Sequence, residues 1–397
     1  MPQRPHQRPI RALVPEAARP RIQSTLDAAL SRRLFLGGLA AAGAAAGLAA
    51  CADPNASAQM SGGGGGSGKL NIYTWGEYDD PQVLKDFTAA KGPAITLDSY
   101  GSNSEMTAKL SAAKGTSGYD ICVPTHSNIQ QMVKLDLLEE LDHSRLPNMA
   151  NLDPSVMDTA WDPGNKHTVC KDWGSTGYVY DTQRITRELT SWKDFIEAAQ
   201  NEASGSLSLL EDQGEIAFIY FFANGIEPNT QDPADVEKYK QWVLTDLAPH
   251  ITTFSSSTNA AISASEQALV HCWNGDGRLG ILGNADKERY KFVWPSEGAN
   301  LWQDNWAIVK GAPNADAAYG FIDYVLDKDV SLKELTYIGY NTGVQGIEEA
   351  ATAAGVERPD LIFIDQSVMS KLVYSEMTPR DQDIIKIYDE LKAKAGQ

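Results

Sequence analysis

Leu70-Asn71-Ile72-Tyr73-Thr74-Trp75, followed by Asp80-Pro81 and then by Val83, Leu84 and Phe87, is the stretch on which the fold turns. The six-residue run is rich in β-branched and aromatic side chains and reads as a strand. Asp80-Pro81 predicts a helix N-cap with proline at the first helical position, and the three apolar residues give that helix its buried face. Gly92-Pro93 stops it, and residues 94–100 read as a second strand. Another helix runs through Met106 and Leu110 to Gly115, then a third strand, Tyr119-Asp120-Ile121-Cys122-Val123-Pro124. Strand and helix alternating at this spacing imply a parallel sheet covered by helices. Ligands of such sheets sit outside the carboxyl ends of the strands. Those ends are Trp75-Gly76-Glu77-Tyr78 and Pro124-Thr125-His126-Ser127.

Downstream, a second block opens after an extended run over 166–181. Ser191 with Asp194 resembles a capping box for a helix carrying Trp192, Phe195 and Ile196. Residues 206–210 read as a strand ending in Glu211-Asp212, and the next helix starts near Glu215. Further strands are expected over 251–254, 268–273, 278–282, 291–294 and 302–309. Helices close the chain, the last over 383–395 with Ile384, Ile387 and Leu391 on one face. At about 100–200 residues per domain, the chain after residue 50 suggests two domains. Two α/β lobes joined by extended crossovers fit the order. A hydrophobic fraction of 42% with nine Trp and fifteen Tyr is that of a globular chain.

Upstream, the sequence reads as an address. Ser31-Arg32-Arg33-Leu34-Phe35-Leu36 is a twin-arginine pattern, and the Gly/Ala-rich stretch from Leu34 to Ala50 is too short and too weakly apolar for a comfortable membrane span. Leu48-Ala49-Ala50-Cys51 resembles the lipobox of bacterial lipoproteins, which makes Cys51 the acylated first residue of the mature chain. Residues 1–50 are then a signal peptide, and 51–68 a lipid-anchored flexible tether. The expected location is extracytoplasmic, in the periplasm or on the outer face of the cell membrane. Gly63 to Lys69 fits the start of a phosphate-binding loop, but Leu70 stands where a Ser or Thr is needed and no strand precedes it, so nucleotide binding is rejected.

Of 397 residues, 34 are Lys or Arg and 52 Asp or Glu, a net charge of −18. Seven arginines and two acids lie in residues 1–50; without that segment 27 bases face 50 acids, giving −23. Such a surface repels nucleic acid and anionic lipid alike. Cys122, Cys170 and Cys272 allow one disulfide, of a pairing the sequence leaves open, or free buried thiols. The histidine spacing and the absence of C-x-x-C argue against a metal site, no cofactor is expected, and the G-x-S-x-G of serine hydrolases is absent.

Aromatic and acidic residues recur together near the strand ends: Trp75, Glu77 and Tyr78; Asp212 and Glu215; Trp273 with Asp276; Trp302 with Asp304. A polyamine needs that mixture. Its methylenes want flat apolar walls, and each desolvated ammonium costs several kcal/mol unless a carboxylate pairs with it. Cation–π contacts add roughly 0.5–2 kcal/mol each.

With these residues in view, the sequence resembles the spermidine/putrescine-binding proteins of bacterial ABC importers. The likeness covers residues 69–397, with matches at Tyr73-Thr74-Trp75-Gly76-Glu77-Tyr78, Tyr119-Asp120 to Pro124, Ser191-Trp192, Trp273-Asn274-Gly275, Val293-Trp294-Pro295 through Trp302 to Asp304, and Tyr337-Ile338-Gly339-Tyr340. It implies an α/β, two-lobed periplasmic-binding-protein fold of type II, each lobe a mixed, mostly parallel sheet flanked by helices, hinged at crossovers near Gly174 to Gly177 and Trp302 to Trp306. The implied lobes are 69–174 with 305–349, and 175–304 with 350–397. The implied partners are a polyamine and a membrane permease, and the chain is expected to be a monomer.

Carried over by position, Trp75, Tyr78, Trp273 and Trp302 would wall the methylene chain. Asp212, Glu215 and Asp304 would pair with ammonium groups, Glu77 would assist at one end, and Thr125 and Ser256 would hydrogen bond. Three positions depart from the family. Ser127 replaces a wall tyrosine, Gly76 replaces a small hydroxyl residue, and a glutamine of the C-terminal segment aligns only loosely, near Thr378. Asp212 together with Glu215 favours spermidine over putrescine. One alternative keeps the fold and binds another solute, such as ferric ion. A secreted enzyme is the other, but no base, metal or oxyanion motif accompanies Asp212 and Glu215.

Overall fold

The computed structural model describes residues 68–113 and 117–397. The expected signal peptide, the expected tether up to Ser67, Cys51 and Gly115 lie outside the described residues. Among the described residues the ten strands are β1 (Lys69–Trp75), β2 (Ala94–Tyr100), β3 (Ile121–Cys122), β4 (Thr168–Asp181), β5 (Leu207–Leu209), β6 (Ile251–Phe254), β7 (Leu269–Trp273), β8 (Tyr290–Val293), β9 (Ala299–Ile308) and β10 (Leu372–Tyr374). They run in the order β2-β1-β3-β9-β4-β7-β5-β6, with β10 on β9 and β8 on β4. β1 lies parallel to β2 and β3, and β5 parallel to β6 and β7.

The two long strands join these two parallel sets. β4 pairs with β9 from Thr168 to Ser175, then changes partner to β7 at Thr176 and to β8 at Tyr178. β9 gives Ile308 and Ala307 to β3 and its other end to β10. The chain therefore crosses between lobes along Gly174 to Gly177 and Trp302 to Trp306, where the crossovers were expected. The mixed, mostly parallel sheets and flanking helices make the two-lobed architecture.

Local chemistry sets the elements that carry the site. Asp80 accepts a hydrogen bond from Gln82 N at 2.8 Å and caps the helix Pro81–Lys91, which Gly92 closes at φ 94°. Ser191 Oγ accepts from Asp194 N at 3.0 Å and opens the helix Trp192–Gln200. One core packs Leu70, Ile72, Ile121 and Ile308 under Val83, Phe87, Phe321 and Ile322. Another packs Tyr178, Leu207, Leu209 and Leu269 under Phe195, Phe221, Ile387 and Leu391. Each such buried side chain contributes about 1.5–3 kcal/mol. Cys122, Cys170 and Cys272 are free and buried. Among the described residues no helix is long and apolar enough to cross a membrane.

Two elements differ from expectation: β10 forms in a stretch read as helical, and one expected strand is a helix. Residues 278–282 are not a strand but belong to the helix Asn274–Gly283. Its glycines lower intrinsic helicity and mask the period, yet they serve the packing: a Cβ at Gly277 would meet the Phe292 ring at 2.7 Å, and one at Gly280 would meet Ile262 at 2.7 Å. Tertiary contact with β8 and its neighbours selects helix over local preference.

Candidate ligand-binding cleft

A single cleft of about 1980 Å³ is lined by all eleven residues singled out from the sequence: Trp75, Glu77, Tyr78, Thr125, Ser127, Asp212, Glu215, Ser256, Trp273, Trp302 and Asp304. That exceeds the roughly 300–1,000 Å³ of a small-molecule site, so the walls stand apart. Trp75 ends β1 and meets Tyr100 edge-on, ring centres 4.6 Å apart. Glu77 follows in the left-handed region at φ 56° and is exposed, and the tight turn it makes leads into Tyr78.

Trp302 and Asp304 are two apart on β9 and so share a face. Trp302 stands edge-on to Tyr340 with ring centres 4.9 Å apart. Its indole can lie against β4 only because residue 174 lacks a side chain: a Cβ there would fall 2.6 Å from Trp302 Cζ2 and 2.5 Å from Asn274 Oδ1. Gly174→Ala should destabilise the fold by about 1–3 kcal/mol and displace the Trp302 wall. Chemical denaturation together with the change in tryptophan emission would check this, and wild-type values for both would refute it.

Across the cleft, Asp212 caps the helix Gln213–Ala223, accepting from Gly214 N at 2.8 Å and Glu215 N at 3.0 Å. Glu215, buried in the first turn, accepts through Oε1 from Thr176 Oγ1 at 2.9 Å and Asn300 Nδ2 at 2.8 Å. Trp273 ends β7, and Asp276 lies one turn on, taking a hydrogen bond from Tyr340 Oη at 2.7 Å. On the facing wall Tyr78 Oη bonds Asp172 and lies 3.0 Å from Asp304 Oδ2. Asp304 Oδ1 is buried and has no hydrogen-bond partner among the described residues. An unsatisfied buried polar atom costs about 1–3 kcal/mol, more when charged, so Oδ1 is free to accept from a donor that enters the cleft.

These carboxyls hold protons unusually well. Burial, then the charge of Asp172, pushes Asp304 up to about 7. Burial and Asp212 push Glu215 up to about 7. Burial pushes Asp276 up to about 6 against the pull of Tyr340. A cation seated among them would reverse each shift. Among the described residues no three His, Cys, Asp or Glu converge as a metal ion would require.

Sequence reading left several lining residues out. Thr378 spends its backbone N and hydroxyl on Asp381, and the C-terminal segment's glutamine that lines the cleft is Gln382, in the first turn of the helix Asp381–Lys394. Asn300 lines it as well, and so do Tyr340, which stood in the family match, and Asp276, which stood among the aromatic and acidic clusters, although neither was given a site role. The aromatic and acidic pairing that flagged Trp273 also covered Asp276. Asn300 carried no comparable signal.

An open cleft between two α/β lobes bridged by crossover strands defines a solute-binding protein. The bacterial extracellular solute-binding protein family matches residues 82–360, and the chain belongs to that family. It is 30% identical over 362 residues to the spermidine/putrescine-binding periplasmic protein 1 of Haemophilus influenzae, covering 90% of this chain and 99% of that one. The putrescine/agmatine-binding protein of Pseudomonas aeruginosa is 28% identical over 82% of this chain and 92% of its own length. The solved substrate-binding protein of a Streptococcus pneumoniae spermidine/putrescine ABC transporter superposes with a TM-score of 0.69 at 27% identity, covering 83% of this chain and 100% of that one. Within the family, then, the chain groups with extracytoplasmic ABC-transporter members named for spermidine and putrescine. Those relatives are transport proteins, and the chain is not an enzyme.

Proposed function

We propose that this chain captures a polyamine between its two lobes, spermidine in preference to putrescine, and delivers it to the membrane permease of an ABC importer. The observation that carries the reading is Asp304: a buried carboxylate with one unpaired oxygen, on the same strand face as Trp302 and bonded by Tyr78. An ammonium supplies the missing donor and charge, and the indole and phenol faces suit the methylenes beside it. Glu215 with Asp212 on the opposite wall, and Asp276 beside Trp273, supply acceptors for further ammonium groups, which supports a tri-cation. Glu77, Thr125 and Ser256 complete the polar rim. Gly76 has open space where a side chain would stand. With Ser127, it leaves the Trp75 wall roomier.

The lobes we assign are 69–174 with 305–349, and 175–304 with 350–397, although Ala351 and Ile362 pack in the first core and Ile384 and Leu391 in the second. Export by the twin-arginine route, a lipid anchor on Cys51 and a monomeric state belong to the same reading. Thermal unfolding of the mature chain with putrescine, spermidine, spermine, amino acids, sugars and ferric ion tests it. Spermidine at about a thousand times its Kd should add about 4 kcal/mol. The absence of a shift with any of the amines would sink the proposal, and a chelator-sensitive shift with ferric ion alone would favour the metal.

A further inference from the structure

Behind the Tyr78 wall lies a second, fully buried group of charges. β4 carries a bulge there: Cys170 pairs with Asn305 and Asp172 with Asp304, so Lys171 is the extra residue. A bulge re-aims side chains, and here Lys171 and the adjacent Asp172 both reach Tyr78. Lys171 Nζ donates to the Tyr78 carbonyl at 2.8 Å and stands 3.3 Å from Asp172 Oδ2 and 3.5 Å from Asp79 Oδ1. Its ammonium also lies 4.3 Å from the centre of the Tyr78 ring. Asp79, Asp172, Glu334 and Asp304 are all buried around this one lysine.

The hydroxyl of Tyr78 touches two carboxyls, Asp172 Oδ1 and Asp304 Oδ2. A phenol has one hydrogen to give. If one carboxylate accepts it, the other must present a proton of its own to the phenol oxygen, or the contact is repulsive. Lys171 decides between them, because it stands beside Asp172. We propose that Asp172, kept ionised by Lys171, is a positioning residue that makes Tyr78 hold a proton on Asp304 until a ligand ammonium replaces it. This rests on the polyamine reading. When the ammonium docks on a molecule that carries this proton, the Asp304 O–H gives it to solvent and an N–H of the ligand takes its place on the carboxylate, so one proton leaves for each protonated Asp304 that binds. A neutral solute cannot displace that proton, so the device selects cations over sugars and amides of similar shape.

The other groups around this site fit the inventory. Burial raises Asp79 and Asp172, and Lys171 opposes it in both. Burial pushes Glu334 up to about 8, and it accepts from Asp80 N. Tyr100, Tyr340 and the Cys170 thiol are pushed well up by burial and stay neutral. Thr125, across from Asp304, does not titrate in this range.

Calorimetric titration of the mature chain with spermidine at pH 7, in two buffers of different ionisation heat, counts the protons. Wild type should release about one, roughly half from Asp304 and half from Glu215, each being near half-protonated at that pH. In Asp172→Asn, residue 172 carries no charge to hold the phenol hydrogen, Tyr78 turns it to Asp304, and release should fall to about half a proton. Lost packing alone would not change that count. Binding without proton release in the wild type, or an undiminished count in Asp172→Asn, overturns the inference while leaving polyamine binding intact. No binding of spermidine to the wild type overturns both.

Discussion

Replacing Asp304 by asparagine should weaken spermidine binding at least about thirtyfold, because removing one partner of a buried, hydrogen-bonded charge pair costs about 2 kcal/mol or more. The side chain keeps its shape, so the Trp302 face of β9 and the contact with Tyr78 remain. Stability of the unliganded chain should hold or rise, since a carboxylate that is 6% exposed with an unpaired oxygen is a burden when nothing is bound. Those opposite directions separate the two roles a buried acid can have. Titration calorimetry gives the affinity and a urea midpoint gives the stability. Equal affinity in both proteins would remove Asp304 from the site, whereas a lowered urea midpoint would make it a structural residue.

What could be read from residues alone follows from how local each signal is. Asp80-Pro81, Gly92 and the Ser191 box act within one turn, and each sits where its capping chemistry demands. Strand ends were legible because a strand that stops at a cleft leaves aromatic and acidic residues together, as at Trp75, Trp273 and Trp302. The helix Asn274–Gly283 was not legible, because its glycines answer to Phe292 and Ile262, distant in sequence. Lys171 and Asp172 were invisible for a similar reason. They lie in an unremarkable extended run, and only the bulge opposite Asp304 brings both to Tyr78. Gln382 was missed because Thr378 and Asp381 begin the helix at an offset that no pattern announces. The sheet order told of a cleft, and long-range register decided which polar groups stand behind it.

Spermidine affinity should rise steeply with pH, on the order of fiftyfold or more between pH 6 and pH 7.5. Asp304 and Glu215 both stand at about 7 in the unliganded cleft, and the ammonium groups need both ionised. The doubly ionised fraction is under about 1% at pH 6 and over about half at pH 7.5, and apparent affinity scales with the competent fraction. For the unliganded fold the sign is opposite. Carboxyls that titrate near 7 when folded and near 4 when unfolded bind more protons in the native state, so their stabilisation is full below pH 4 and is lost as pH rises through 7. Asp276, at about 6, acts in the same direction. Unliganded and spermidine-loaded unfolding midpoints should therefore diverge from pH 6 to pH 7.5, the first falling while the second, whose carboxylates are ionised both folded and unfolded, stays nearly level. Asp304→Asn leaves Glu215 alone of the two cleft acids that stand at about 7, and should reduce the affinity change to about eightfold over the same range. Affinity that is flat with pH would mean that both carboxylates are already ionised in the empty cleft, and their burial would then need a resident cation to account for it.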